Sequence, residues 1–188
     1  MYGLVNLAVK DLVVNSFGAD KWERVKELAG YDHDTFERMS PYPDELTYKL
    51  VAAVCEVLGL TTEQALIAFG EYWVLYTGRE GYGHLFDIAG SNLLDFLSNL
   101  DALHTRIGTN FPHLVPPSFQ CETIDANTLR MHYHTDRKGL CPMVKGLLQG
   151  LAKHFKCELE LEHPICRITG AEHCEFIVRV KPAAVASA

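Results

Sequence analysis

Residues 112–133, PHLVPPSFQCETIDANTLRMHY, divide the chain into two kinds of pattern. Pro112, Pro116 and Pro117 forbid a continuous helix, and residues 119–121 and 128–133 then alternate apolar and polar side chains as strands do. Upstream the periodicity is helical. Leu4, Leu7, Ala8 and Leu12 recur at helical spacing, Phe17-Gly18-Ala19-Asp20 makes a break, and Asp20 is the expected N-cap of a helix holding Trp22, Val25, Leu28 and Ala29. Gly30 stops it. A polar stretch, residues 33–40, leads through Pro41 and Pro43 to a predicted helix over 47–58 closed by Gly59, and Thr62 is the expected cap of another over 63–76. In residues 91–107, Leu93, Leu97, Leu100, His104 and Ile107 share one face, which predicts a single amphipathic helix turning a histidine inward. Downstream, a helix over 141–155 precedes strands over 157–162 and 176–180 around a turn at 168–171. Helices followed by an antiparallel meander with a helix laid between strands predict an α+β fold.

The 188 residues, 48% hydrophobic and 22% charged, suit one domain. A formal net charge of −7 argues against nucleic-acid binding. The first residues lack a basic start, a continuous apolar run and a small-residue cleavage site, and no segment reaches the length needed to span a bilayer, so the expectation is a cytoplasmic protein without membrane insertion. In that compartment the six cysteines point to buried thiols or metal ligands before disulfides. No repeat or low-complexity linker stands out, so the expectation is that any output goes to another molecule.

Three constellations carry chemistry. His104 sits on an apolar helix face, where it is either a satisfied core residue or a ligand. Tyr133, Thr135 and Arg137 lie two apart, so strand alternation would send two hydroxyls and a guanidinium from one face with no matching internal acceptor. Such a group suits carboxylates, which arginine binds bidentately; the other reading is a solvated strand face. Paired with an inward histidine some 30 residues upstream, it makes a haem pocket the joint explanation, with the histidine as axial ligand and the strand anchoring the propionates. His132 and His134, the other histidines nearby, alternate to the opposite face. The third constellation is Cys141, His163, Cys166 and Cys174. His163-x-x-Cys166 is a chelating pair, the Thr169-Gly170 turn brings Cys174 back to it, and Cys141 joins from the preceding helix. Three thiolates and an imidazole suit a closed tetrahedral zinc site, structural or redox-responsive; scattered thiols, or Cys157 as a rival ligand, remain open on spacing.

Catalytic signals are absent from the pattern. No carboxylate pair or Ser-His-Asp set stands out, Gly81-Tyr82-Gly83 lacks the residues of a phosphate loop, and no histidine is placed as a base for Cys141. The expectation is a protein that is not an enzyme.

The ordered set Met1-Tyr2-Gly3-Leu4-Val5-Asn6, Phe69-Gly70-Glu71-Tyr72-Trp73, Asn99-Leu100-Asp101-Ala102-Leu103-His104, Pro117-Ser118-Phe119 and Tyr133-x-Thr135-x-Arg137 resembles the H-NOX family. These haem nitric oxide/oxygen binding domains include the haem domain of soluble guanylate cyclase and bacterial stand-alone sensors. The resemblance implies an H-NOX fold over residues 1–182. A helical subdomain (1–60) would rest on a haem-ligating subdomain with a four-stranded antiparallel sheet (61–182), haem b between them and a frayed tail at 183–188. It implies His104 as proximal iron ligand, Pro117 pressing on the haem, and Tyr133, Thr135 and Arg137 on the propionates, with Thr135 replacing the family's serine. Val5, Trp73 and Met143 join the haem-binding set. The distal tyrosine, tryptophan and asparagine of oxygen-binding members correspond here to Met143 or its neighbour Pro142, Val9 and Trp73. The implied ligands are therefore nitric oxide and carbon monoxide, without a stable oxygen complex. A zinc-binding bacterial subset matches Cys141, His163, Cys166 and Cys174. The implied partner is a histidine kinase or a cyclic-di-nucleotide enzyme. The rival from another class is a zinc-stabilised structural or thiol redox-switch module without haem.

Overall fold

The computed structural model describes residues 1–77, 83, 86, 88–109, 113 and 115–182; Pro112, the Gly81-Tyr82 pair and the segment 183–188 lie outside the described residues. Four helices come first: α1 (Gly3–Phe17), α2 (Ala19–Ala29), α3 (Asp44–Leu58) and α4 (Thr62–Tyr72). Gly18, not Asp20, occupies the N-cap of α2, and Asp20 falls in the first turn, where its charge favours the positive end of the helix dipole. Gly30 and Gly59 end α2 and α3 at φ 67° and 66°, a left-handed geometry that costs glycine little. Helix α3 starts three residues before the predicted 47, because Pro43 presets the cap and Asp44 and Glu45 suit the first turn. Thr61, rather than Thr62, caps α4 through a reciprocal box: its hydroxyl accepts from the Gln64 N–H at 3.2 Å, and the Gln64 side chain accepts from the Thr61 N–H at 2.9 Å. Helix α4 then loosens into a π-helical turn, Trp73–Thr77, instead of continuing to 76. No single helix among the described residues is long and apolar enough to cross a membrane.

The helix predicted over 91–107 is two, α5 (Leu93–Ser98) and α6 (Leu100–Gly108). Asn99 divides them: its side chain donates to the carbonyls of Ala89 at 2.9 Å and Asp95 at 3.0 Å, so it closes one helix and opens the next. The second half of the chain holds β1 (Ser118–Asp125), β2 (Thr128–His134), α7 (Cys141–His154), β3 (Cys157–Ile165) and β4 (Cys174–Pro182). All pairings are antiparallel, in the order β1-β2-β4-β3. This is not the expected meander. Strands β3 and β4 form a hairpin around a short 3-10 turn, Arg167–Thr169. Strand β4 takes the interior place because Phe176 and Val178 are fully buried, while β3, half polar along its length, forms the edge.

Two hydrophobic clusters result. One gathers Val13, Trp22, Val25, Phe36 and Leu50 among the first helices; the other lies between the sheet and α5–α7 around Leu93, Leu97, Met131, Leu148 and Phe176. Helix α7 reaches both, with Val144 and Leu148 in the sheet cluster and Met143 packed on the helical one. It lies backbone to backbone on α4. A Cβ on Gly146 would sit 2.0 Å from the Ile67 carbonyl oxygen, and one on Gly70 would sit 2.2 Å from that of Met143.

Glycine to alanine inside a helix ordinarily stabilises by about 0.5–1 kcal/mol. Here the contact is with backbone that cannot rotate aside, so Gly146→Ala is expected to destabilise by about 1–3 kcal/mol, read as a lowered thermal midpoint. A midpoint equal to or above that of the parent chain would show that the two helices separate freely.

Candidate functional site

The described part of the structure encloses a cavity of about 520 Å³ where the two clusters meet. Its walls come from α1 and α3 (Val5, Val9, Val51), α4 and the π turn (Leu66, Phe69, Trp73), α6 (Leu103, His104), the Pro116-Pro117 segment, β2 and α7 (Met143, Leu147). A largely apolar lining with few polar groups at this volume is the ordinary character of a site for a small molecule or cofactor. His104, Pro117, Tyr133, Thr135, Arg137, Val5, Trp73 and Met143 all line it, as does Val9, whereas Pro142 is buried in the first turn of α7 away from the wall.

His104 is set by its own helix and by Asp101, one turn earlier. The Asp101 carboxylate accepts from the Ser118 hydroxyl at 2.8 Å and the Phe119 N–H at 2.7 Å, so the start of α6 is pinned to the start of β1. The His104 ring contacts Phe119, centroids 5.8 Å apart, and Phe119 stacks on Tyr133 at 5.1 Å. Burial lowers the imidazole's pKa against smaller upward pulls from Asp101 and the Pro117 backbone. His104 Nδ1 is buried with no hydrogen-bond partner, the Pro117 carbonyl being near but outside bonding geometry. A neutral, partly unsatisfied imidazole on a cavity wall is fit to bind a metal.

The propionate-binding candidates are arranged differently from their sequence pattern. Tyr133 lies on β2, buried, and burial pushes its phenol up to about 12 despite the Thr135 hydroxyl bonded to it. It therefore remains a protonated donor at neutral pH. Strand β2 ends at His134, so Thr135 and Arg137 belong to the bend that follows rather than to one strand face. Arg137 also has acceptors: its Nε donates to Asp44 Oδ2 at 2.9 Å and its Nη1 to the Val115 carbonyl at 2.8 Å. Asp44 Oδ1 accepts in turn from the Met1 amino group at 2.5 Å. Burial raises the Asp44 carboxyl, but the Met1 amino group and Arg137 outweigh it and hold the pKa below the usual aspartate value. Sequence reasoning missed Asp44 and Asp101, because the first was expected before a helix starting at 47 and the second inside one continuous helix, whereas both stand in the first turn of a helix.

A second set of groups lies behind the same bend. The candidate ligand atoms of Cys141, His163, Cys166 and Cys174 all fall within 4.8 Å of one another. Cys141 and Cys166 sulfurs stand 3.6 Å apart, and two thiolates about 2.3 Å from one tetrahedral ion would stand roughly 3.7 Å apart. His163 stacks on Phe176 at 4.1 Å and leaves a buried Nε2 without a partner. Burial pushes the Cys141 thiol up to about 12; Cys166, raised by burial but lowered more by the Ile168 and Thr169 backbone and the Cys141 thiol, ends below the ordinary value. The four groups fit zinc. Cys157 stays outside, its thiol directed at the Ala152 carbonyl. Arg167, beside Cys166, donates to the carbonyls of Thr135 and Arg137, which ties the thiol cluster to the cavity's polar bend.

The sequence model of the Haem-NO-binding family matches residues 2–163. The chain belongs to the Haem-NO-binding family. This H-NOX domain is 35% identical over 156 residues to soluble guanylate cyclase gcy-32 of Caenorhabditis elegans, covering 81% of the chain and 23% of the cyclase. It is 33% identical over 122 residues to the guanylate cyclase soluble subunit beta-2 of Rattus norvegicus, covering 62% and 18%. The chain thus spans about a quarter or less of the length of these curated relatives. The structure superposes on an S. oneidensis H-NOX protein in the Fe(II) ligation state (a triple mutant) with TM-score 0.90, 21% identity and full coverage of both chains. On an S. oneidensis H-NOX protein in the Fe(II)NO state the TM-score is 0.88 at 22% identity, over 96% of this chain and 99% of the other. Those superpositions establish the fold, α+β with a four-stranded antiparallel sheet. The family is one of sensor domains, not of catalysts.

A carboxylate with a lowered pKa stabilises the fold above its ordinary value of 3.8, and that contribution is lost as pH falls through the lowered one. Asp44→Asn is therefore expected to lower the denaturation midpoint at pH 7, with the difference from the parent chain closing below about pH 4. A difference that stays constant from pH 7 to pH 3 would show that the charge on Asp44 contributes nothing.

Proposed function

We propose that the domain is a haem-based sensor that binds nitric oxide and carbon monoxide at ferrous haem b and reports to a separate partner protein. The observation that carries this reading is the convergence of the His104 imidazole and the Tyr133, Thr135 and Arg137 donors on one apolar cavity. When bound, haem supplies a ferrous iron with a coordination position for a diatomic gas. His104 is the proposed axial ligand, held neutral by burial and aimed by the Asp101 anchor. Tyr133, Thr135 and Arg137 are the proposed propionate donors, and Pro117 the residue pressed against the ring. Asp44 holds the guanidinium in place from the other wall.

A pocket that retains oxygen usually donates a hydrogen bond to it. Val5, Val9 and Met143 offer no donor, and the Trp73 ring, tilted against Phe69 at 6.0 Å, is expected to fill space. That favours nitric oxide and carbon monoxide over oxygen. The proposed moving boundary lies between residues 1–60 and 61–182, because the cavity draws walls from both and the Asp44–Arg137 pair crosses it. A partner that binds two arrangements of this boundary unequally turns ligation into a signal. The relatives that carry the matched region as a quarter or less of a cyclase support an enzyme as effector; the proposed partner is a histidine kinase or a cyclic-di-nucleotide enzyme, and the proposed location the cytoplasm. Cys141, His163, Cys166 and Cys174 are the proposed ligands of one structural or redox-linked zinc ion.

His104→Ala is expected to bind haem weakly, with free imidazole restoring part of the ferrous spectrum; a normal ferrous spectrum without imidazole would assign the ligand elsewhere. Air added to the reduced parent protein is expected to leave no persistent oxygenated species. Metal analysis of protein purified under reducing conditions is expected to find about one zinc per chain, released when oxidants pair the thiols. Zinc-free protein would remove that assignment and leave the haem reading intact.

A further inference from the structure

The outer face of the sheet carries a cluster that haem binding does not use. Alternation on β2 sends Met131 and Tyr133 into the core and His132 and His134 to the opposite face. The ladder sets His132 against Glu175 of β4, and one step beyond the Tyr133–Cys174 pair it brings His173 beside His134. His132 Nδ1 and His173 Nε2 lie 3.1 Å apart, and the His134 and His173 rings stack with centroids at 4.8 Å. Glu175 divides its oxygens: Oε1 stands 3.6 Å from Arg130 Nε, and Oε2 stands 3.9 Å from His132 Nδ1. Glu122 of β1 approaches the other side of the ring, 3.8 Å from His132 Nε2. Cys174, between His173 and Glu175 in sequence, is buried, so this cluster is separate from the thiol set.

We propose that His132, His173 and Glu175 form a second metal site for a divalent transition ion such as zinc or nickel, which His134 joins by turning out of its stack on His173. Two ligand atoms about 2.0–2.1 Å from one ion stand roughly 3 Å apart, and the His132 and His173 nitrogens already have that spacing. Imidazole nitrogens select zinc, nickel or copper over magnesium and calcium, which take oxygen ligands. Glu175 supplies a negative charge, its Oε2 3.9 Å from His132 Nδ1, and its side chain has to swing towards the two imidazoles to join the set. His134 is exposed and His132, His173 and Glu175 are half-buried, so the ion keeps water ligands and exchanges, unlike an ion closed in by three thiolates and an imidazole.

The test uses haem-loaded, zinc-saturated protein titrated with nickel(II) by calorimetry, with the near-ultraviolet spectrum followed in parallel. The expected result is one equivalent of nickel bound without thiolate-to-nickel charge-transfer bands. That equivalent is expected to disappear in the His132→Ala/His173→Ala double variant, whose Soret spectrum remains that of the parent, and to weaken severalfold in His134→Gln. No nickel binding would leave the cluster a hydrogen-bonded and ion-paired patch only and overturn the proposal. So would an equivalent that persists in the double variant, or one whose charge-transfer bands locate it at the cysteines. Failure of the zinc assignment is read separately, as zinc-free purified protein.

Discussion

Contact between the backbones of α4 and α7 is the constraint on which the rest of the structure depends. With no side chain at Gly70, Gly146 or Gly150 to separate them, the two helices share one fixed register. Helix α4 leads into Trp73 and the helical cluster; α7 carries Cys141 at its start, Met143 on the cavity wall and Leu148 against the sheet. Through this seam the two clusters are held at one spacing. The cavity lies where they meet because the side chains around it face each other across the gap instead of interlocking.

The polar side chains that converge on the described cavity have partners, apart from His104 Nδ1 and, behind Thr47, the buried Asn6 Nδ2. Arg137 has Asp44 and Val115, Tyr133 has Thr135, and the Thr47 hydroxyl donates to Asn6 Oδ1 at 2.7 Å. His104 Nδ1 has none. Leaving one such atom buried and unmatched costs about 1–3 kcal/mol, a sizeable fraction of the stability of a domain this size. Asp101 limits the ring's freedom to escape, because moving α6 outward would break two hydrogen bonds to β1.

What could be read from sequence follows the range of the interactions. Helices with an apolar stripe and a glycine stop were legible, as α2 and α3 show, since both signals are local. The α+β class followed from the prolines at 116 and 117 and the alternation after them. The break at Asn99 was hidden because the leucine spacing runs through it, and only a bond to Ala89 reveals the second helix. The place of β4 between β2 and β3 was equally hidden, because spacing along the chain carries no record of which strand is paired along both edges. At the site, the convergence of His104, Tyr133 and Arg137 on one cavity was legible as chemistry. The Asp44 partner, 93 residues from Arg137, was not.

Strand β2 shows one further consequence. Its alternate residues belong to two environments: Met131 and Tyr133 face the core, while His132 and His134 face outward. The tight corner at its start, where the Asn127 N–H bonds the Asp125 carboxylate at 2.8 Å and the Asn127 carbonyl accepts from Val180, meters out the strand's length. Loss or gain of one residue between that corner and Tyr133 would exchange the two faces at a stroke, placing imidazoles in the interior and the phenol in water. Insertions and deletions in descendants of this sequence should therefore avoid residues 127–133 almost completely, even where single substitutions on the outer face are tolerated.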